Sequence, residues 1–310
     1  MTSTAMVFTP APQLTITIEQ PADAVELHVH PGGQGIWQAR MITSLDVSVT
    51  LCACVGGEVG RVLEPLIAAE GVTLRVVPRD TGGSGWYVHD RRDGDRVEIA
   101  EDPGQPLTRH ELDELYGVAL AEGLRADISV LSGPAQPEVV PADIYRRLAA
   151  DLTNNGARVV ADLSGDHLSA VLDGGVSFLK VSHEELLDDG RADDDSDQAL
   201  VKAMRQLRDE GAESVIVSRA DQPSLALLDG EAFVVEMPKL EAADPRGAGD
   251  SMTAGVTAVL AKGGDLHDAI RTGAAAGALN VTRHGLGSGR ADAIAELIPR
   301  VQINPLGGGE

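Results

Sequence analysis

The residues best placed to do chemistry lie in one run, Asp244-Pro245-Arg246-Gly247-Ala248-Gly249-Asp250-Ser251-Met252-Thr253-Ala254-Gly255. A turn with Pro245 and two close glycines opens into small apolar residues, which predicts a helix through about Ala261. The amides of Gly247, Ala248 and Gly249 then become free helix-start donors converging on one point. Free amides and the helix dipole together make an anion site, and phosphate suits it. Asp250 sits inside that positive end. A carboxylate there can take a proton from an attacking hydroxyl while the amides hold a transferring phosphoryl group. Arg246 adds a guanidinium fork that fits phosphate. The plainer alternative is that Asp250 only caps its helix, as Asp commonly does.

These groups need a rigid frame. Short apolar runs at Val47–Val55, Asp127–Leu131, Arg158–Leu163 and Ser214–Ser218 read as buried parallel strands. Between them lie helical patterns at Pro141–Asn154, Asp197–Glu210, Leu266–Asn280 and Ala291–Val301. The alternation implies an α/β fold with a doubly wound, mostly parallel sheet flanked by helices. Two stretches alternate polar and apolar instead, at about 12–30 and 84–100, the second around an Asp93-Gly94 turn. They read as half-exposed strands of a small β lid on a single domain spanning 1–305. Residues 306–310 read as a disordered tail. In such a sheet, ligands bind beyond the carboxyl ends of the strands.

Several further segments carry a family likeness. Pro31-Gly32-Gly33-Gln34-Gly35-Ile36-Trp37-Gln38-Ala39-Arg40 is one, and Val55-Gly56-Gly57-Glu58-Val59-Gly60 a second. Leu131-Ser132-Gly133-Pro134, Lys180-Val181-Ser182-His183-Glu184-Glu185-Leu186 and Ala278–Gly285 complete the set. With the Asp250 run they resemble the ribokinase-like (PfkB) sugar kinases, nearest the 1-phosphofructokinase and tagatose-6-phosphate kinase branch. The resemblance runs in order over about residues 7–298. It implies ATP-dependent phosphoryl transfer to a hydroxyl of a small carbohydrate, with Mg²⁺, in which Asp250 is the base. Lys180, Ser182, Ser218 and Asn280 would meet the nucleotide, and Glu185 the metal through water. Thr15, Gly32, Gly33, Gln34 and Trp37 would meet the acceptor. For Glu185 a solvated helix face remains open, for Lys180 a surface strand end, and for Ser218 and Asn280 a cap or turn role.

The acceptor half departs from the family pattern. Thr15 stands where a sugar-gripping carboxylate is usual, Gln34 and Trp37 replace Lys and Asn, and the arginine position of the lid falls near Gly83 or Gly85. Lost cations predict a neutral, ring-bearing acceptor stacked on Trp37 or Trp86. The alternatives are a sugar phosphate held by Arg40, Arg91 or Arg92, a nucleoside acceptor, or a nucleotide-binding pseudokinase. An intact Asp250 speaks against the last.

Composition narrows the partners. With 48 acidic against 25 basic residues the net charge is −23, which repels nucleic acid and anionic membranes. Aromatics are only 3%, so the core must come from Val, Leu, Ile and Ala. Cys52 and Cys54, two apart on a buried strand, read as small core residues rather than a disulfide. The acidic run Asp188–Asp197 reads as a solvated loop, and His28 with His30 lacks the further ligands of a metal site. No apolar leader or long apolar span appears, so a cytoplasmic protein is expected. Exposed edges of the lid strands suggest a homodimer paired through them.

Overall fold

A computed structural model describes residues 2–20, 24–241, 243–283 and 285–307. In chain order the strands are β1 (Thr4–Phe8), β2 (Gln13–Glu19), β3 (Glu26–Gly32), β4 (Ser48–Gly56), β5 (Thr73–Arg79), β6 (Ser84–Asp90) and β7 (Val97–Gly104). They continue as β8 (Ile128–Ser132), β9 (Val159–Asp162), β10 (Val176–Ser182), β11 (Ala212–Arg219), β12 (Gln222–Leu228), β13 (Glu231–Glu236) and β14 (Gln302–Pro305).

Ten of them form one sheet ordered β14-β13-β12-β11-β10-β9-β8-β1-β4-β5, parallel from β11 to β5. The α/β architecture expected from the alternating pattern is the one observed. Besides β5 and β10, two features are absent from that expectation. One is β1, the strand between β8 and β4, hidden in a short apolar run at Ala5–Phe8. The other is the antiparallel meander β12-β13-β14 that extends one edge. Both faces of the sheet are covered by helices, giving two apolar layers built mainly of Val, Leu, Ile and Ala. Burial on both faces favours such aliphatic, β-branched strands. Cys52 and Cys54 lie in this core as free thiols, and burial pushes both up to about 12.

The helix Ala248–Ala261 is buried along most of its length and packs on the helix Leu266–Asn280 almost backbone to backbone. A Cβ added at Gly255 would stand 2.7 Å from the Gly273 Cα, so only glycine admits this contact. The expected helix at Ala291–Val301 ends earlier, at Leu297, because Pro299 closes a 3₁₀ turn over Ile298–Arg300. The expected tail is docked at its start, since the Leu306 amide donates to Ala232 O at 2.8 Å. Residues 308–310 lie outside the described residues.

The four remaining strands make a second sheet, ordered β3-β2-β6-β7. One face carries Thr15, Thr17, Tyr87 and His89, paired across β2 and β6. The opposite face carries Ile16, Ile18 and Val88, with Leu27 and Val29 opposite on β3. Among the described residues no helix is long and apolar enough to cross a membrane.

Candidate active site

The helix Ala248–Ala261 begins as its sequence dictates. Gly247 takes a left-handed conformation (φ 69°) that other residues resist, and Ser251 N is the first amide to reach back to Gly247 O, at 2.9 Å. Among the described residues, the amides of Gly247, Ala248 and Gly249 have no intramolecular acceptor. Four orphan donors at a helix start are usual; three in a glycine turn make an anion cradle. A Cβ on Gly249 would lie 2.6 Å from the Lys180 Nζ, so glycine here is what lets the ammonium approach the turn.

Under the cradle lies a buried network of charge. Lys180, on β10, is buried rather than at the surface, and its Nζ pairs with Asp162 Oδ1 at 3.2 Å. The other Asp162 oxygen accepts from Thr253 Oγ1 at 2.8 Å and from Gln38 Nε2 at 3.1 Å. The same Gln38 nitrogen lies 3.5 Å from Asp250 Oδ1, so one amide faces both carboxylates. Ser132 Oγ donates to Gln38 Oε1, which fixes that amide's orientation. Burial and the neighbouring Asp162 push Asp250 up to about 7, with Lys180 pulling the other way. Burial also raises Asp162, against Lys180 and Thr253. For Lys180, burial opposes the charge, yet Asp162, Glu185 and Asp250 hold it above its ordinary value.

Other expected site residues fall in different places. Thr15, Gly33, Gln34 and Trp37 line a cavity of about 350 Å³ with Asp162, His167 and Glu185, and Gly32 precedes them on β3. Gln34 Oε1 accepts from Gly133 N at 2.7 Å. Trp86 is not in that wall; it packs against the apolar core beneath the small sheet. Ser182 caps the helix His183–Asp188 in a capping box, its Oγ accepting from Glu185 N while Glu185 Oε2 accepts from Ser182 N at 2.7 Å. One Glu185 oxygen is therefore engaged at the helix start, and the side chain still reaches the cavity wall. Ser218 O accepts from the His183 ring at 3.3 Å.

Asn280 lies against the cradle turn. It is fully buried, its amide donates to Arg246 O at 2.6 Å, and its Oδ1 accepts from Gly287 N at 3.0 Å. Both ends are engaged, so it braces the cradle turn. Arg246 itself is exposed beside that turn, with its amide on Asp244 Oδ1. Asp162, Gln38 and Thr253 were not anticipated. For Asp162 a signal existed: an acid closing a buried strand, followed by Ser164-Gly165, points at the crevice beyond the sheet.

The lid arginines also sort themselves. Arg40 is bidentate to Glu70, Arg91 pairs with Asp244, and Arg92 with Asp90, all at 2.6 Å. Arg96 differs: it lines the cavity 4.7 Å over the Tyr87 ring, and its buried Nε has no partner among the described residues. Burial, then Arg246 and Arg91, lower its proton affinity, while a side-chain hydrogen bond with Tyr87 works the other way. A wider cleft between Arg40 and the 287–292 segment contains none of the site's carboxylates, and its own acid, Asp292, pairs with Arg290.

A glycine cradle at a buried helix start, an acid inside it and a crevice beyond parallel strands define a phosphotransferase of the ribokinase-like class. The model of the pfkB family carbohydrate kinases matches residues 8–293, and the chain belongs to that family. It is 28% identical over 278 residues to a 1-phosphofructokinase of Bacillus subtilis, covering 89% of each chain. With an ATP-dependent 6-phosphofructokinase isozyme 2 of Mycobacterium tuberculosis it is 32% identical over 254 residues, covering 80% of this chain and 73% of the other. The structure of phosphofructokinase-2 from Escherichia coli superposes with a TM-score of 0.85 at 27% identity, over 97% of this chain and 99% of the other. The protein is accordingly an ATP-using carbohydrate kinase that phosphorylates a sugar hydroxyl.

Proposed function

We infer that the acceptor is a phosphorylated sugar whose anionic group is met by Arg96. The observation behind this reading is the unpartnered Nε of Arg96 inside the acceptor cavity. A buried guanidinium nitrogen without an acceptor is costly, and a phosphate supplies one. The arginine expected at Gly83 or Gly85 is replaced from the loop of the same hairpin, just before β7. Trp37 then offers its indole to the sugar ring, while Trp86 serves packing alone.

In the reaction, Asp250 takes the proton of the acceptor hydroxyl as it attacks. The amides of Gly247, Ala248 and Gly249 hold the charge of the transferring group, and Lys180 supports them from below. Three carboxylates, Asp162, Glu185 and Asp250, surround the single ammonium of Lys180, so a polyanionic nucleotide needs a cation with it. Mg²⁺ fits, since it asks the protein for only one or two carboxylates. Glu185, one oxygen of which stays off the capping box, would hold it through water. When bound, that ion neutralises phosphate charge.

Arg96→Met is expected to raise KM for sugar phosphates by about tenfold or more, as loss of a charge-assisted contact does, with KM for ATP unchanged. Steady-state kinetics against sugars, sugar phosphates and nucleosides make the test. Equal turnover of neutral sugars by both proteins, with no sugar phosphate accepted, would sink the reading.

The same inference extends to assembly. Leu27, Val29, Val97 and Ile99 stand exposed on the outer strands β3 and β7 of the small sheet, with Val25 just before β3. A second copy of the chain is the occupant proposed for them, in keeping with a tetrameric form of the E. coli relative. Sedimentation at micromolar protein is expected to return a dimer or larger. A purely monomeric boundary there excludes it. A reducing cytoplasm is the proposed compartment, consistent with two free buried thiols.

A further inference from the structure

We propose that Arg79 is the positioning residue that sets the angle of the β6–β7 hairpin over the acceptor cavity. Arg79 ends β5, nearly buried at 8% exposure, and contacts neither cavity nor cradle. Its Nη1 donates to Gly83 O at 2.9 Å, on the segment that enters the hairpin. Its Nη2 donates to Gln105 O at 3.0 Å and Pro106 O at 3.1 Å, on the segment that leaves it. One planar group therefore ties both stems together.

The stems have little stiffness of their own. They contain Gly82, Gly83 and Gly104, and such segments swing easily unless held. The third arm of the fork runs to the body. Arg79 Nε donates to Glu111 Oε1 at 3.3 Å, and the other Glu111 oxygen accepts from Thr108 N at 2.7 Å. Glu111 and Thr108 form the capping box that starts the helix Arg109–Gly123. The hairpin is thus bolted through a buried ion pair to a fixed helix start. Gly56 N adds a bond to Ser84 Oγ at 3.0 Å on the same stem.

What the hairpin carries makes the angle matter. It presents Tyr87 and Arg96 to the cavity. A shift of an ångström at the stems moves those groups by as much or more, and misplacements of that size cost up to about a hundredfold in enzymes. Lysine cannot reproduce the fork, since its single ammonium serves fewer carbonyls in one plane. The consequence for acceptor binding rests on the Arg96 reading above; the mechanical role does not.

The test uses Arg79→Lys, which keeps Glu111 neutralised, and Glu111→Gln, which keeps the fork but loosens its anchor. Hydrogen exchange on the acceptor-free protein is expected to quicken at 80–84 and 104–107 in both, with other strands unchanged. Acceptor KM is expected to rise about tenfold while KM for ATP stays within about twofold. Unchanged stem exchange in both variants overturns the proposal, as does a parallel rise in both KM values, the mark of general loosening. Should Arg79→Lys fail to fold, Glu111→Gln is judged by the same two readings. If Arg96→Met leaves acceptor KM alone while Arg79→Lys raises it, the acceptor reading fails and the positioning role stands.

Discussion

Asp250→Asn is expected to cut kcat by about 10²–10⁴, the usual contribution of a positioned general base. The replacement has nearly the same shape and still faces Gln38, 3.5 Å from Asp250 Oδ1 in the native protein, so nucleotide affinity is expected to hold. The pH dependence carries the sharper signature. Burial and Asp162 push Asp250 up to about 7 from an ordinary carboxyl value of 3.8. The acid limb of kcat/KM is therefore expected near pH 7, with activity lost below it as the base becomes protonated. Asp162→Asn removes a charge that raises Asp250 and frees Lys180 to stabilise it, so the limb moves to lower pH. Stability must move the opposite way with pH. The folded protein binds the Asp250 proton more readily than the unfolded chain, so stability falls as pH rises from about 4 to 7. That slope is expected to weaken in Asp250→Asn. Full turnover by the variant would remove Asp250 from the chemistry altogether.

How far the chain announced this site depends on the range over which each signal acts. The cradle was legible because every part of it is local: Gly247 sets the turn, Ala248 begins the helix, and Asp250 follows within one turn. The parallel strands were legible from their apolar runs, and the helices Asp197–Glu210 and Leu266–Asn280 begin and end where their patterns do. The contact between Gln38 and Asp162, 124 residues apart, leaves no mark in either segment. The same holds for Arg96, whose neighbours in sequence read as a solvated hairpin turn and whose meaning comes from packing over Tyr87. Asn280 shows the converse: a position in a motif says where a residue sits, not which of its atoms are already bonded. Sequence therefore exposed the phosphate chemistry and concealed the acceptor specificity, since the second is assembled from segments far apart in the chain.

The heaviest cost to folding is expected from Lys180→Met. Lys180 and Asp162 are both buried, and removing the ammonium leaves a carboxylate facing Asp250 with only Gln38 and Thr253 as donors. Breaking a buried pair in this way typically costs about 3–5 kcal/mol, a large part of a domain's stability. The deficit is expected to be full at neutral pH. Lys180 is held above its ordinary value of 10.5, so its contribution persists below that pH and fades only as pH rises through the higher folded value. Adding Asp162→Leu to Lys180→Met removes the stranded charge, and most of the lost stability is expected to return, because an apolar pair can replace a buried ionic one. Turnover is not expected to return with it. The cradle would then lack the ammonium that stands 2.6 Å from the place a Gly249 Cβ would occupy. Urea midpoints and kcat measured on both variants separate the two roles. If Lys180→Met unfolds at the native midpoint, the pair contributes nothing to the fold. If the double variant turns over like the native enzyme, the lysine is a strut for Asp162 and has no part in holding phosphate.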